Sequence, residues 1–168
     1  MPEFTIRRYE PGDEDAVWEL HETALRDIGA YDEEFAHLDA DLLAVESEYL
    51  DAGGAFLVGE LRTGDPTPEL VAMGAIQPTA AVDHHETDPD AGVVRRMRVA
   101  PAHQRQGYGS QILRELEARA VDLGFERLVL DTTPAQESAI ALYESFGYDP
   151  TRRESTPAGE MIFYEKQR

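Results

Sequence analysis

The sequence contains no cysteine, a single lysine and no long apolar run, and each absence removes a class of protein. Without cysteine there is neither a disulfide framework nor a thiol nucleophile for covalent catalysis. No stretch approaches the ~20 apolar residues of a membrane-spanning helix, and no apolar segment follows the charges of Met1 to Arg8. A soluble cytoplasmic protein with no membrane partner is expected. Every basic residue except Lys166 is arginine, and acidic residues outnumber basic ones 34 to 15, for a formal charge of −19. The basic stripe that phosphate backbones require is missing, which argues against a nucleic-acid partner.

What is present suffices for one fold. At 168 residues the chain fits a single domain over residues 1–168 that buries about 70% of its unfolded surface. Its acid-rich, lysine-poor composition resembles that of halophilic proteins. Closely spaced carboxylates repel one another until salt shortens the Debye length to about 3 Å near 1 M, so salt-dependent folding is expected.

Glycine and proline divide the chain into periodic segments. Phe4 to Tyr9 reads as a strand ended by Pro11 and Gly12. Asp13 caps a helix whose apolar face is Ala16, Val17, Leu20, Ala24, Leu25 and Ile28, and Gly29 ends it. The spacing of Leu42, Leu43, Val45, Tyr49 and Leu50 predicts a second helix over Asp39 to Leu50. Ala55 to Leu61 and Leu70 to Gln77 read as a hairpin, and Thr79 to Ala91 as an acidic, mobile loop. A strand over Gly92 to Ala100 stops at Pro101. A helix from near Gly109 follows, with Ile112, Leu113, Leu116, Ala120 and Leu123 on one face and Gly124 as its stop. Leu128 to Leu130 is then a short buried strand, parallel to the first through a right-handed crossover. A helix ending at Gly147 and strands near 149–155 and 160–166 complete the chain.

The run Gln104-Arg105-Gln106-Gly107-Tyr108-Gly109-Ser110 lies between that strand and that helix. The unpaired N–H groups of the helix start point back into this loop, and the helix dipole is positive there. Gly107 and Gly109 carry no side chain to block a diphosphate, and Arg105 adds positive charge. Arg95, Arg96 and Arg98 crowd the same stretch, either as part of the cradle or as partners for nearby acids. A plain strand-to-helix turn uses glycine in the same way, and a nucleotide module would too, although no Lys-Ser/Thr pair follows to make a P-loop.

With its flanks, this run resembles the GNAT superfamily of N-acetyltransferases. Gln104, Gly107 and Gly109 match the Q/R-x-x-G-x-G/A signature, and Ala139 through Tyr148 match the terminal A-x-x-L-Y-x-x-x-G-F/Y pattern. The resemblance covers residues 92 to 148 well and the first half in element order only. It implies an α/β fold of one domain, a mostly antiparallel sheet with a central, splayed parallel pair and about four flanking helices. It also implies acetyl-CoA as cosubstrate, lying along Met97, Arg98 and Val99 with its diphosphate over Arg105, Gln106, Gly107, Tyr108, Gly109 and Ser110. The Val99 N–H would then face the thioester oxygen. Tyr143 matches the acid that protonates the departing sulfur, against the alternative of an ordinary core tyrosine. Gln136 stands where relatives contact the cofactor. It also fits a capping box in which Thr133 caps, Pro134 is first in the helix and Gln136 reaches back.

The acceptor by this reading is an amine of a small molecule or a protein. Freeing an ordinary lysine-like amine of its proton at pH 7 costs about 4.6 kcal/mol, so a base is useful. Asp131, acting through a water, is the candidate, against an Asp that satisfies turn N–H groups. His84 and His85 lie in an acidic loop segment with no zinc spacing, which predicts a solvated loop and no metal. His21, His37 and His103 are isolated in the sequence. A non-catalytic acyl-CoA sensor is the alternative to an enzyme, and oligomeric state, a homodimer included, stays open.

Overall fold

The computed structural model describes residues 3–64, 66–82, 85–157 and 159–167. A seven-stranded sheet runs in the order β1-β2-β3-β4-β5-β7-β6. Its strands are β1 (Glu3–Arg8), β2 (Ala55–Arg62), β3 (Glu69–Pro78), β4 (Ala91–Val99), β5 (Arg127–Thr132), β6 (Asp149–Thr156) and β7 (Gly159–Gln167). Every neighbouring pair is antiparallel except β4 and β5, which are parallel. Among the described residues the α-helices are α1 (Glu14–Asp27), α2 (Tyr108–Leu123) and α3 (Glu137–Ser145). This is the expected mixed fold. Among the described residues no helix is long and apolar enough to cross a membrane.

Strand alternation sends successive side chains to two cores. Leu57, Ala72, Ile76, Leu128 and Leu130 pack with Ile112, Leu113, Leu116 and Ala120 of α2 and with Tyr143 of α3. Phe56, Val58, Met73 and Ala75 pack on the other side with Val17 and Leu20 of α1 and with Leu42, Val45 and Tyr49. The helix predicted over Asp39 to Leu50 does not form. Its place is taken by a 3₁₀ stretch, Glu33–Leu43, kinked at Asp39, and a π turn, Glu46–Leu50. Asp39 and Asp41 turn inward there to meet Arg96, and these ion pairs override the helical spacing. Asp13 likewise does not cap α1. Its carboxylate accepts from Arg7 Nη1, from Arg7 Nη2 and from the Glu10 N–H.

Two features open the middle of the sheet. The parallel pairing of β4 with β5 extends only over Ala91–Arg127, Gly92–Leu128 and Val93–Val129, after which β4 continues to Val99 and β5 to Thr132 without pairing. In addition, the register of β4 against β3 slips between Met73 and Ala75, where Arg96 has φ +57°. One extra residue on β4 forms a bulge that bends the strand away. Gly74 lies opposite the bulge, and a Cβ there would come within 2.7 Å of Ile112 Cγ2. Only glycine lets α2 lie this close to β3.

Candidate active site

Beside the splay lies a cleft of about 540 Å³ lined by β4, the loop before α2, the first turn of α2, one face along the length of α3, and the end of α1. Met97, Arg98, Val99, Gln104, Arg105, Gly107, Tyr108, Gly109, Ser110 and Gln136 all line it. Gln106 is exposed beside it, and Tyr143 and Asp131 stand outside its lining.

Helix α2 starts at Tyr108, one residue earlier than expected, with Gly107 as N-cap at φ +84°. Gln111 N–H is the donor to Gly107 O at 3.1 Å, so the N–H groups of the turn before it point into the cleft. Arg105 holds φ +63°, an uncommon conformation for a residue with a side chain. Its exposed guanidinium has no partner among the described residues. Gln104 Nε2 donates to Val99 O at 3.3 Å and ties the loop to the end of β4. The Tyr108 ring is anchored elsewhere, stacked on Phe4 with centroids 4.1 Å apart; its contribution to the cleft is main-chain.

Ala100 N–H donates to Val71 O of β3 at 2.8 Å. By alternation the N–H of Val99 points the other way, into the gap where β5 has left. The buried hydroxyls of Thr132 and Thr133, where β5 ends, have no partner either. An extended ligand with amide groups and a diphosphate end fits the strand-edge groups along β4 and the positive helix start at the far end.

The arginines divide into two groups. Arg95 and Arg96 do not join the cradle. Arg96 pairs with Asp39 at 2.9 Å and Asp41 at 2.6 Å, and Arg95 Nη1 donates to Gln77 Oε1 at 2.7 Å. Burial alone would raise the Asp41 carboxyl, but hydrogen bonds and charge from Arg96 outweigh it and hold Asp41 below the ordinary carboxylate range. Arg98 turns to the cleft. Its Nη1 donates to Met97 O at 2.9 Å and Gln136 Oε1 at 3.3 Å, and its Nε to His21 Nδ1 at 3.3 Å. Burial, helped by the Arg96 charge, pushes its guanidinium down to about 10, so it stays charged at neutral pH.

The capping box is corrected. Gln136 is itself the N-cap of α3 and its side chain makes no cap bond. Thr133 Oγ1 has no partner, because the helix begins later than the Pro134 signal suggests.

His21 and His85 are the residues that sequence reasoning passed over. His21 is fully buried, with Nε2 at 2.9 Å from Asp39 Oδ2. Burial and the Arg98 charge hold its imidazole below the usual value against the pull of Asp39, leaving it neutral. Its position on the apolar stripe of α1 with Val17, Leu20 and Ala24 is a signal the sequence did carry. His85 does not lie in a solvated loop. Its side chain is 6% exposed and Nε2 is 2.8 Å from Asp131 Oδ2, so Asp131 is held by a side chain rather than by turn N–H groups. The described part of the 79–91 loop is tied down at Thr79, whose hydroxyl donates to Asp88 O and accepts from Asp88 N–H. His84 lies outside the described residues, as does the side chain of His37. Among the described residues no cluster could hold a metal ion.

Tyr143 is 5% exposed, with its ring edge-on to Tyr148. Among the described residues its hydroxyl has no hydrogen-bond partner. Burial raises its phenol, Arg98 lowers it and Asp131 raises it; the net effect is upward, so the hydroxyl keeps its proton and lies in the field of both charges.

A Bacillus subtilis protein, an uncharacterized N-acetyltransferase, is 35% identical over 48% of this chain and 49% of its own; the chain thus spans about half of that relative. An IAA acetyltransferase of Azospirillum brasilense is 34% identical over 88% of this chain and 86% of its own. A Salmonella typhimurium protein proposed to be an acetyltransferase, solved with its cofactor acetyl-CoA, superposes with a TM-score of 0.74 at 21% identity, covering 98% of this chain and 93% of its own. The family model described as acetyltransferase (GNAT) matches residues 15–148, and the chain belongs to that family.

Proposed function

We propose that the protein transfers the acetyl group of acetyl-CoA to an amine of a small molecule or a protein, in the cytoplasm, by direct attack and without a covalent enzyme intermediate. The observation that carries this reading is that one cleft runs from the helix start at Tyr108 along Met97 to Val99, the part of β4 that β5 no longer pairs with. Acetyl-CoA supplies an activated acyl group on a sulfur leaving group. The residues of the chain supply the rest. The N–H groups of Gly107 to Ser110, with Arg105, hold the diphosphate end. The strand edge at Met97 to Val99 and the side chain of Gln136 hold the arm, and the Val99 N–H faces the oxygen on which charge develops. Tyr143, kept protonated by burial, gives its proton to the sulfur. Asp131 places negative charge on the acceptor side.

The test is acetyl-CoA uptake by calorimetry in molar salt, followed by thiol release with amino acids, polyamines and lysine-containing peptides. Uptake with amine-dependent thiol release is expected. Uptake without release on any amine would make the protein a sensor, and no uptake would overturn the reading.

A further inference from the structure

Immediately beyond the last parallel rung, each splayed strand turns one polar side chain away from α2. Val94 and Leu130 face the α2 core, so Arg95 on β4 and Asp131 on β5 face the opposite side, where an acceptor must come in. Arg95 is occupied by Gln77 and lies 3.9 Å from Asp41. Asp131 instead holds His85, across 46 positions of sequence. The imidazole is oriented twice, by this bond and by an edge contact with Phe163 at 5.2 Å between centroids.

With Nε2 donating to a carboxylate, the free lone pair of the neutral ring is on Nδ1. Among the described residues Nδ1 has no hydrogen-bond partner. A groove of about 250 Å³ opens from His85 past Glu86, Arg127, Arg152 and Glu165, which gives the ring a wet exit. Among the described residues those four and Asp131 are the charged groups around it, and Tyr164 is a further titratable neighbour. Asp131 stands two residues beyond the last parallel rung, Val93 with Val129, at the gap between β4 and β5, and its charge reaches the Tyr143 hydroxyl.

Resting on the function proposed above, we propose that His85 is the base that takes the proton of the acceptor amine, and that Asp131 positions it. His85 Nδ1 takes one proton from the ammonium and passes it through the groove to solvent. The freed nitrogen lone pair forms the C–N bond, and the C–S electron pair leaves with sulfur. Tyr143 protonates that sulfur, and the second proton shed by the nitrogen restores Tyr143. The sum is amide, thiol and one proton released. A neutral imidazole is needed, so turnover rises with pH along an acidic limb.

His85→Gln keeps a donor for Asp131 and cannot titrate. It is expected to bind acetyl-CoA as the wild type does and to melt at the same temperature. Amine-dependent turnover should fall about a hundredfold or more, and the acidic limb should vanish. Asp131→Asn should lower kcat while leaving KM for acetyl-CoA and the melting temperature unchanged, a split that a purely structural role would not cause. Wild-type turnover with an intact limb in His85→Gln overturns the assignment alone. A wild-type chain that takes up no acetyl-CoA, or acetylates no amine, overturns the functional reading and this assignment with it.

Discussion

Tyr143 and His21 show what burial does to a titrating side chain in this protein. Tyr143 is buried with an unpartnered hydroxyl, so Tyr143→Phe deletes no hydrogen bond and leaves the core filled. Stability and acetyl-CoA binding are expected to hold while turnover falls by about 10² or more; near wild-type turnover in a steady-state assay would remove Tyr143 from the chemistry. His21 is neutral in the fold because burial lowers it, whereas the unfolded chain protonates it near pH 6.5. Below that value the unfolded state binds the extra proton and stability falls with pH. A second loss follows below about pH 4, where Asp39 and Asp41, depressed in the fold, take up protons. Denaturant melts from pH 8 to 3 should show both stages, and His21→Gln should abolish the first only. Neither histidine could be placed from neighbours in sequence. The partners of His21 (Asp39 and Arg98) and of His85 (Asp131 and Phe163) lie on other elements, and only the apolar stripe of α1 marked His21.

At the scale of elements, the strand-to-helix turn was legible because it is built from local rules. Pro101 ends β4, Gly107 supplies a left-handed cap and Gly124 stops α2. The segment over Asp39 to Leu50 was not, because inward carboxylates answering Arg96 decide its course, and spacing alone carries no trace of that partner. The cap and the cradle are one device. At Gly107 a Cβ would meet nothing within 4 Å, but φ is +84°, so alanine adds strain of about 1 to 2 kcal/mol without a clash. Gly107→Ala should weaken acetyl-CoA binding several-fold in calorimetry. Gly64, in the β2–β3 turn at φ +102° with equally open space, is the control; its alanine variant should lose similar stability and no affinity. Equal affinities in both variants would show that the loop does not grip the ligand.

Over the whole molecule, the order of strands and helices was readable because each element carries its own period and its own stop. The splay was not, since it depends on where pairing ends and on an extra residue at Arg96, features that no local pattern encodes. The charge of −19 is a property of the whole chain. Several acids are already matched, among them Glu117 with Lys166 and Asp88 with Arg127, and the remainder repel across the surface. The melting temperature is therefore expected to rise steadily from millimolar to molar salt; an unchanged melting temperature would mean that this repulsion is negligible.

The central claim is that main-chain N–H groups at the start of α2 and at the end of β4 hold acetyl-CoA in the gap of the sheet. Amide hydrogen exchange in molar salt, with and without acetyl-CoA, reads those groups directly. Slower exchange at Gly107 to Ser110 and at Val99 is predicted when the ligand is present. Unchanged exchange at these amides, with protection elsewhere or nowhere, would contradict the account.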